Sequence, residues 1–198
     1  MKTKRSIYFP MILILAIVLG SCTTKRVQRV DPGQQIDLSG RWNDTDSKQV
    51  AAALTDQMLS KRWINDFEQA HGGERPVMIV GLIQNKSHEH ISSETFINDL
   101  ELAVIDAGTV RIVQASEERE ELRRERGDQQ DFASDATAKQ WGKELGADFM
   151  LQGTINSIVD SYKKEKVVEY QVDLSLANLE TNELVWRGQK KIKKYITD

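Results

Sequence analysis

The chain has 198 residues, of which 39% are hydrophobic and 29% charged, which is the balance of one ordinary globular domain. Its formal charge of -3 provides no strongly basic surface for a polyanion, so we expect no nucleic-acid partner. The single cysteine excludes a disulfide framework and a zinc site built from several thiolates.

Residues 1–21 have the pattern of a secretory signal peptide. Three basic residues in the first five positions precede an apolar run from Ile7 to Leu19, and small residues then lead to Cys22. A transmembrane helix is the alternative, but the apolar run is shorter than the roughly 20 residues that a span requires. Removing residues 1–21 takes away three positive charges, so the charge of the mature chain changes from -3 to -6.

The end of the signal, Leu19-Gly20-Ser21-Cys22, resembles the bacterial lipobox. The resemblance implies that Cys22 receives a diacylglycerol, becomes the first residue after cleavage and is acylated on its new amine. Three acyl chains exceed what stable membrane anchoring requires. The alternative is an ordinary signal peptide followed by a free or buried thiol. Thr23 follows in place of Asp, which by the same resemblance implies sorting to the outer membrane.

Residues 22–35 are predicted to be the lipidated N-terminus and a short tether. This segment is mostly polar, and Asp31-Pro32-Gly33 interrupts any helical or strand periodicity. The 13 residues from Thr23 to Gln35 reach about 45 Å when fully extended. Residues 36–198 are then expected to form a single globular domain.

The first half of this domain alternates predicted helices and strands. One long helix is predicted between Asp44 and Phe67 from apolar residues at helical spacing. The continuous apolar run from Val77 to Ile83 is typical of a central strand that is covered on both faces. The next helix starts at Ser92 or Ser93 and stops at Gly108, and a strand over Thr109–Gln114 follows directly.

Two further helices are predicted after that strand. The segment from Glu117 to Arg126 is almost wholly charged, and Glu120 and Arg124 form a favourable pair four residues apart, so we expect a solvated helix. Asp135 can cap a second helix that ends at Gly146. A strand from Asp148 to Val159 is predicted to follow.

The last third has the alternation of an antiparallel hairpin. Apolar residues at every second position from Val168 to Leu176 predict a strand with one buried face. A polar turn at Glu180–Glu183 leads to a return strand in which Leu184, Trp186 and Gly188 share a face. The predicted fold class is therefore α/β in the broad sense, more narrowly α+β. We expect a mixed sheet of about five strands with helices packed against it and a C-terminal antiparallel hairpin.

The sequence contains none of the common catalytic motifs, and we expect neither a catalytic residue nor a cofactor. His88 and His90 are the one pair of residues with a spacing that suits metal binding. In an extended segment, two imidazoles that are two residues apart project to the same side and could share a transition metal. No third ligand is evident, so no metal site is predicted. Solvated loop histidines and acid–base groups are the other interpretations.

Tryptophans and a basic stretch complete the candidate binding residues. Trp141 and Trp186 lie on predicted apolar faces and are assigned to the core. For Trp42 and Trp63 two interpretations remain, a place in the core or an exposed ring on which a saccharide stacks. The basic stretch is interpreted as a charged edge strand, or as a contact for an acidic protein surface or anionic lipid. It comprises Arg187, Lys190, Lys191, Lys193 and Lys194.

Four segments, together with the lipobox, are similar to the LpoB family: Ser39–Asp44, the helix start at Glu94–Thr95, Gly146–Gly153 and Leu176–Gly188. The similarity runs from about Leu38 to the C-terminus. The family consists of outer-membrane lipoproteins that activate bifunctional penicillin-binding proteins. The resemblance implies a monomeric, non-enzymatic domain in the periplasm that docks on a peptidoglycan synthase and raises its glycan polymerisation and crosslinking.

The tether departs from the long proline-rich tether of the best-known activators, because it is short and holds one proline, Pro32. The alternative function is therefore an accessory lipoprotein for envelope assembly, secretion or transport that shares the fold. The residues predicted to contact a partner come from the loop around the two histidines and from the C-terminal basic stretch: His88, His90, Arg187, Lys190 and Lys191.

Overall fold

The computed structural model of the chain describes residues 26–114, 120 and 146–197. Cys22, the predicted signal peptide and the helix predicted from Asp135 lie outside the described residues, as does the predicted solvated helix apart from Glu120. The chain divides into two units, residues 1–34 and 35–198. In the first unit Asp31 makes a turn, in which its carboxylate accepts a hydrogen bond from the backbone N–H of Gly33 at 2.7 Å.

The second unit contains one mixed sheet of five strands, as the sequence predicts. The order across the sheet is β2-β1-β3-β4-β5. β1 pairs in parallel with β2 and β3, whereas β3, β4 and β5 form antiparallel pairs. The strands are β1 Val77–Asn85, β2 Arg111–Ile112, β3 Phe149–Tyr162, β4 Glu165–Asn178 and β5 Leu184–Thr197.

Within the described ranges, three helices accompany the sheet: α1 Asp44–Leu59, α2 Trp63–Ala70 and α3 Ser93–Ala107. α1 packs against α3 and β5, and α3 also packs against β1, so both helices lie on one face of the sheet. We call this the helix face and the opposite side the outer face. The core between α1, α3 and the sheet includes Leu54, Phe96, Leu100, Tyr170 and Leu174, each of which is 1% exposed or less.

The prediction of one long helix between Asp44 and Phe67 is wrong, because the helix ends at Leu59 and α2 starts at Trp63. The break is stabilised at the carbonyl of Met58, which would otherwise lack a partner at the end of α1. The indole N–H of Trp63 donates to this oxygen at 2.9 Å, and the backbone N–H of Lys61 donates to it at 3.3 Å. A side chain therefore caps α1 and turns the chain.

The predicted caps of α3 are confirmed. Ser92 is the N-cap, and its hydroxyl accepts from the backbone N–H of Thr95. Gly108 ends the helix with φ of 68°, in the left-handed region that favours glycine. The following strand is shorter than predicted, because β2 comprises Arg111–Ile112 and not Thr109–Gln114.

β1 has a neighbour on each side, but it is not covered on both faces along its whole length. Val77, Met78 and Val80 are buried, whereas Leu82 is 66% exposed. The register between β1 and β3 shifts between Val80 and Ile83. β1 has one residue more than β3 in this interval. The extra residue lets Ile83 return to the core while Leu82 faces outward.

β4 confirms the alternation predicted from sequence, since all five of its apolar positions from Val168 to Leu176 are buried. β5 departs from it at its start. Leu176 pairs with Trp186 but Ala177 pairs with Leu184, so Val185 is an extra residue on β5. Leu184 therefore does not share the buried face of Trp186 and is 56% exposed.

Candidate functional site

The described residues contain no group of three or more His, Cys, Asp or Glu side chains arranged to hold a metal ion. Within the same ranges, no helix has the length and apolar character needed to cross a membrane. Exposed surfaces and polar clusters among the described residues are the candidate sites for a partner.

His88 lies in the loop between β1 and α3 and is held there by Ser157 of β3. The Ser157 hydroxyl oxygen is 2.6 Å from Nδ1 of His88 and accepts the backbone N–H of His88 at 3.0 Å. His90 is exposed in the same loop. The structure thus places both histidines at the surface and gives His88 a structural partner.

Glu89, between the two histidines, is a polar residue that the sequence analysis overlooked. Its side chain is only 12% exposed, and its carboxylate accepts the backbone N–H of Trp42 at 3.2 Å. Burial, and then the hydrogen bond with Glu89, raise the pKa of the Tyr170 hydroxyl. The alternation of the loop, with histidines outward and Glu89 inward, was the signal that could have revealed this contact.

Residues 37–43, which we call the strap, cross the helix face just ahead of α1, and Lys194 of β5 fastens them. Its ammonium group donates to Asp37 at 2.9 Å and to the backbone carbonyl of Arg41 at 2.9 Å. The same group is 2.6 Å from a carboxylate oxygen of Asp46. Lys194 is 11% exposed, so one partly buried cation joins the strap, α1 and β5.

The strap also places Trp42 against the core. Its ring meets those of Phe96 and Tyr170 edge to face, at centroid distances of 6.3 and 5.5 Å. Trp63 packs in the same way on Phe149, at 4.9 Å. The question left open by the sequence is answered, because Trp63 belongs to the core and Trp42 is partly buried against it, so neither forms an exposed stacking platform. Trp141 lies outside the described residues.

The basic stretch lies on β5, which is an edge strand among the described strands, as expected. The pleat of β5 divides the stretch between the two faces of the sheet. Arg187, Lys191 and Lys193 lie on the outer face, whereas Lys190 and Lys194 lie on the helix face, where they pair with Val172 and Val168 in register. The sequence run is therefore not one continuous patch.

Two ion pairs hold Lys191 and Lys193 on the outer face. The ammonium groups of Lys191 and Lys193 each lie 3.2 Å from a carboxylate oxygen of Glu169 of β4. Their hydrogen bonds lower the pKa of the Glu169 carboxyl. Nearby, partial burial opposes ionisation of Asp173, but hydrogen bonds from Gln189 and Gln171 hold its pKa below the usual value. We call four exposed outer-face residues of β5 the C-terminal face: Arg187, Gln189, Lys191 and Lys193.

The two groups of predicted contact residues are not brought together. His88 binds Ser157 of β3, and Ser157 lies opposite Tyr170 of β4, which in turn lies opposite Ile192 of β5. Neighbouring strands are about 4.8 Å apart, so the histidine loop and the C-terminal face are separated by about 10 Å or more of sheet.

Comparison with known proteins gives the family. The profile described as peptidoglycan-synthase activator LpoB matches residues 46–192. No match was found among curated proteins. Among solved structures, the chain is similar to the LpoB C-terminal domain from Escherichia coli, with 15% identity, 74% of this chain and 98% of that chain covered, and a TM-score of 0.44. The chain is also similar to the LpoB C-terminal domain from Salmonella enterica, with 16% identity, 74% of this chain and 98% of that chain covered, and a TM-score of 0.41.

The fold and its surfaces define a small α+β domain with polar faces on one mixed sheet. The family match covers most of the chain, including nearly all of α1, the strands β1 to β4 and the larger part of β5. The chain belongs to the LpoB family of peptidoglycan-synthase activators.

Proposed function

We propose that this chain is a non-enzymatic lipoprotein, anchored through Cys22 in the outer membrane and facing the periplasm. As a monomer it would bind and activate a bifunctional penicillin-binding protein. The observation that carries the proposal is the match of residues 46–192 to a family of peptidoglycan-synthase activators. The lipobox at Cys22 supports the anchor, and the sequence offers no catalytic motif that would suggest a reaction of its own.

The tether restricts where such a partner is met. Because the 13 residues after Cys22 reach about 45 Å at most, the domain stays close to the anchoring membrane. We propose that the periplasmic part of the synthase extends over the remaining distance between its own membrane and this domain.

We propose the C-terminal face as the contact surface. Arg187 and Lys191 are exposed there, and Glu169 and Asp173 hold the neighbouring polar side chains in fixed positions. Preorganised charges lose little side-chain freedom on binding, and they steer a partner of opposite charge. An acidic surface on the synthase is the complement of this face.

Purified variants test the contact surface. Binding to the synthase and its rate of glycan polymerisation would be measured with the full-length lipoprotein in detergent. Arg187→Ala with Lys191→Ala should weaken binding about tenfold, because two steering charges are lost while Glu169 keeps Lys193. Lys190→Ala, on the helix face, is the matched control, and His88→Ala with His90→Ala tests the histidine loop separately.

Each variant distinguishes one part of the proposal. A lipoprotein that fails to stimulate any bifunctional synthase of its own organism would refute the activator function. Stimulation that is insensitive to Arg187 and Lys191 but lost in the histidine variant would instead place the contact at the loop between β1 and α3.

Crosslinking in intact cells tests the partner directly. With an affinity tag after Asp198, the wild-type chain should capture a bifunctional penicillin-binding protein, and Cys22→Ser should abolish this capture because the domain loses its anchor. Capture of the chain itself or of secretion components, with no synthase above an unrelated lipoprotein control, would favour the assembly function instead.

A further inference from the structure

The turn between β3 and β4 forms an exposed basic and aromatic tip. Tyr162 pairs with Glu165, so the turn consists of Lys163 and Lys164 alone. All residues from Ser161 to Glu165 are exposed, and Tyr162 is 70% exposed. The ammonium group of Lys163 lies 5.1 Å from the centre of the Tyr162 ring. Tyrosine with lysine at an exposed turn combines an amphipathic ring with a cation on a flexible stem.

The tip is positively charged in a chain that is acidic as a whole. Residues 160–166 contain three lysines and two carboxylates, whereas the chain without its signal carries -6. One of those carboxylates, Glu165, is engaged by the Tyr195 hydroxyl, whose pKa it raises through a hydrogen bond. Within the described part of the chain, neither Lys163 nor Lys164 has an ion-pair partner. Their charges are therefore available to an anionic surface.

The tether enters the second unit at the same end of the sheet. Gln35, the first residue of this unit, lines a groove of about 730 Å³ together with Tyr195 and Thr197 at the end of β5. Thr197 pairs with Glu165, which is directly beside the turn. The tether is itself basic, since residues 23–35 contain three basic residues and one acidic residue. The lysines of the β3–β4 turn and the residue at which the tether joins the domain therefore lie at the same end of the sheet.

We infer that the β3–β4 tip rests on the anionic phospholipid surface of the membrane that holds the lipid anchor. This inference rests on the anchor of the proposed function. The tether keeps the entry point within about 45 Å of the membrane, so the tip, which lies at the same end of the sheet, is within reach of it. Lysines beside an anionic surface are attracted to headgroups, and tyrosine rings settle at the interface.

The contact would orient the domain. The 14 residues of β3 rise about 3.3 Å each, so Phe149 lies about 43 Å from Tyr162 along the strand. With the tip on the membrane, the Phe149 end points away from it, and so does the α1–α2 junction, because Lys61 and Trp63 line one groove with Phe149. Arg187 lies toward that distal end, where an incoming partner meets it.

A fluorescent probe at each end of the sheet tests the orientation in the lipidated full chain. Lipidation of Cys22 leaves no free thiol, so Ser161→Cys at the tip and Ser60→Cys at the distal junction can each be labelled alone. Both serines are exposed, which makes the second variant a matched control. The chains are placed in vesicles of phosphatidylcholine, with or without phosphatidylglycerol, that contain brominated lipid as a quencher.

Quenching is expected at residue 161 in vesicles with phosphatidylglycerol, and not at residue 60. Lys163→Gln with Lys164→Gln should lower the ratio of bound to free tip about thirtyfold, since each lysine contributes about a factor of five. Lys61→Gln with Arg62→Gln removes the same charge at the other end and should have no effect on quenching at residue 161.

Equal quenching at both positions, or none at residue 161, would overturn this inference while leaving synthase activation intact, because the assay contains no synthase. Labelling of the unsubstituted chain would reveal a free Cys22 thiol and would overturn the anchor and this inference together.

Discussion

Lys194→Met should loosen the strap from the rest of the domain. The methionine keeps the length and apolar stem of the side chain but removes the ammonium group that joins Asp37, Asp46 and the carbonyl of Arg41. Breaking a fully buried ion pair by removing one partner costs about 3–5 kcal/mol. We expect about 2–3 kcal/mol here, because the Asp46 carboxylate keeps its hydrogen bond from the backbone N–H of Asn43.

The assay is chemical unfolding in urea, supported by a thermal melt. For a domain of this size, a loss of 2–3 kcal/mol corresponds to a lowering of Tm by about 5–10 °C. Lys193→Met is the matched control, since it removes the adjacent lysine, which is 65% exposed and whose partner Glu169 keeps Lys191. We expect this control to lose less than about 1 kcal/mol. Equal losses in the two variants would refute the role assigned to Lys194.

Three further predictions concern pH, glycine and the helix break. The hydrogen bond from Lys194 is the largest cause that lowers the pKa of Asp37 from 3.8 to about 2. Asp37 therefore stabilises the fold fully above about pH 4 and loses this effect as the pH falls toward 2, so the urea midpoint should drop over that range less steeply in Lys194→Met. Gly40→Ala should cost about 2–4 kcal/mol in urea unfolding, because φ is 65° and a Cβ would overlap a neighbouring side chain. Gly108→Ala, with φ of 68° and open space, should cost only about 1 kcal/mol. Trp63→Phe should lose about 1 kcal/mol by the same measurement, since it removes the hydrogen bond to the carbonyl of Met58; an unchanged midpoint would argue against the indole as the cap of α1.

The elements that depend on local pattern were predictable from the sequence. The alternation of β4 and the caps at Ser92 and Gly108 involve residues whose preferences act within a few positions. The break after Leu59 was not predictable in this way. Helical spacing continues through the break, and the hydrogen bond from Trp63 to the carbonyl of Met58 becomes visible only when the chain has turned.

The surfaces were harder to predict than the fold, because a face is set by register rather than by composition. The basic stretch appeared as one patch in the sequence, yet the pleat assigns Lys190 and Lys191 to opposite sides of the sheet. Lys194 appeared as one surface cation among several. Its partners Asp37 and Asp46 lie about 150 residues away in the chain, so nothing near Lys194 in the sequence indicates that it is partly buried.

The strap connects the proposed anchor to the orientation of the proposed binding surfaces. Because Lys194 fastens the strap to β5, the tether must leave the domain beside the end of that strand, whatever conformation the tether itself adopts. A loosened strap would let the same tether pull from a different point, and the β3–β4 tip would no longer be the part held nearest the membrane. Lys194→Met should therefore reduce quenching at residue 161 in the vesicle assay even under conditions in which the domain remains folded, whereas Lys193→Met should not. A Lys194→Met chain that stays folded, shows the expected loss of stability and yet retains full quenching would show that the tip reaches the membrane without guidance from the strap.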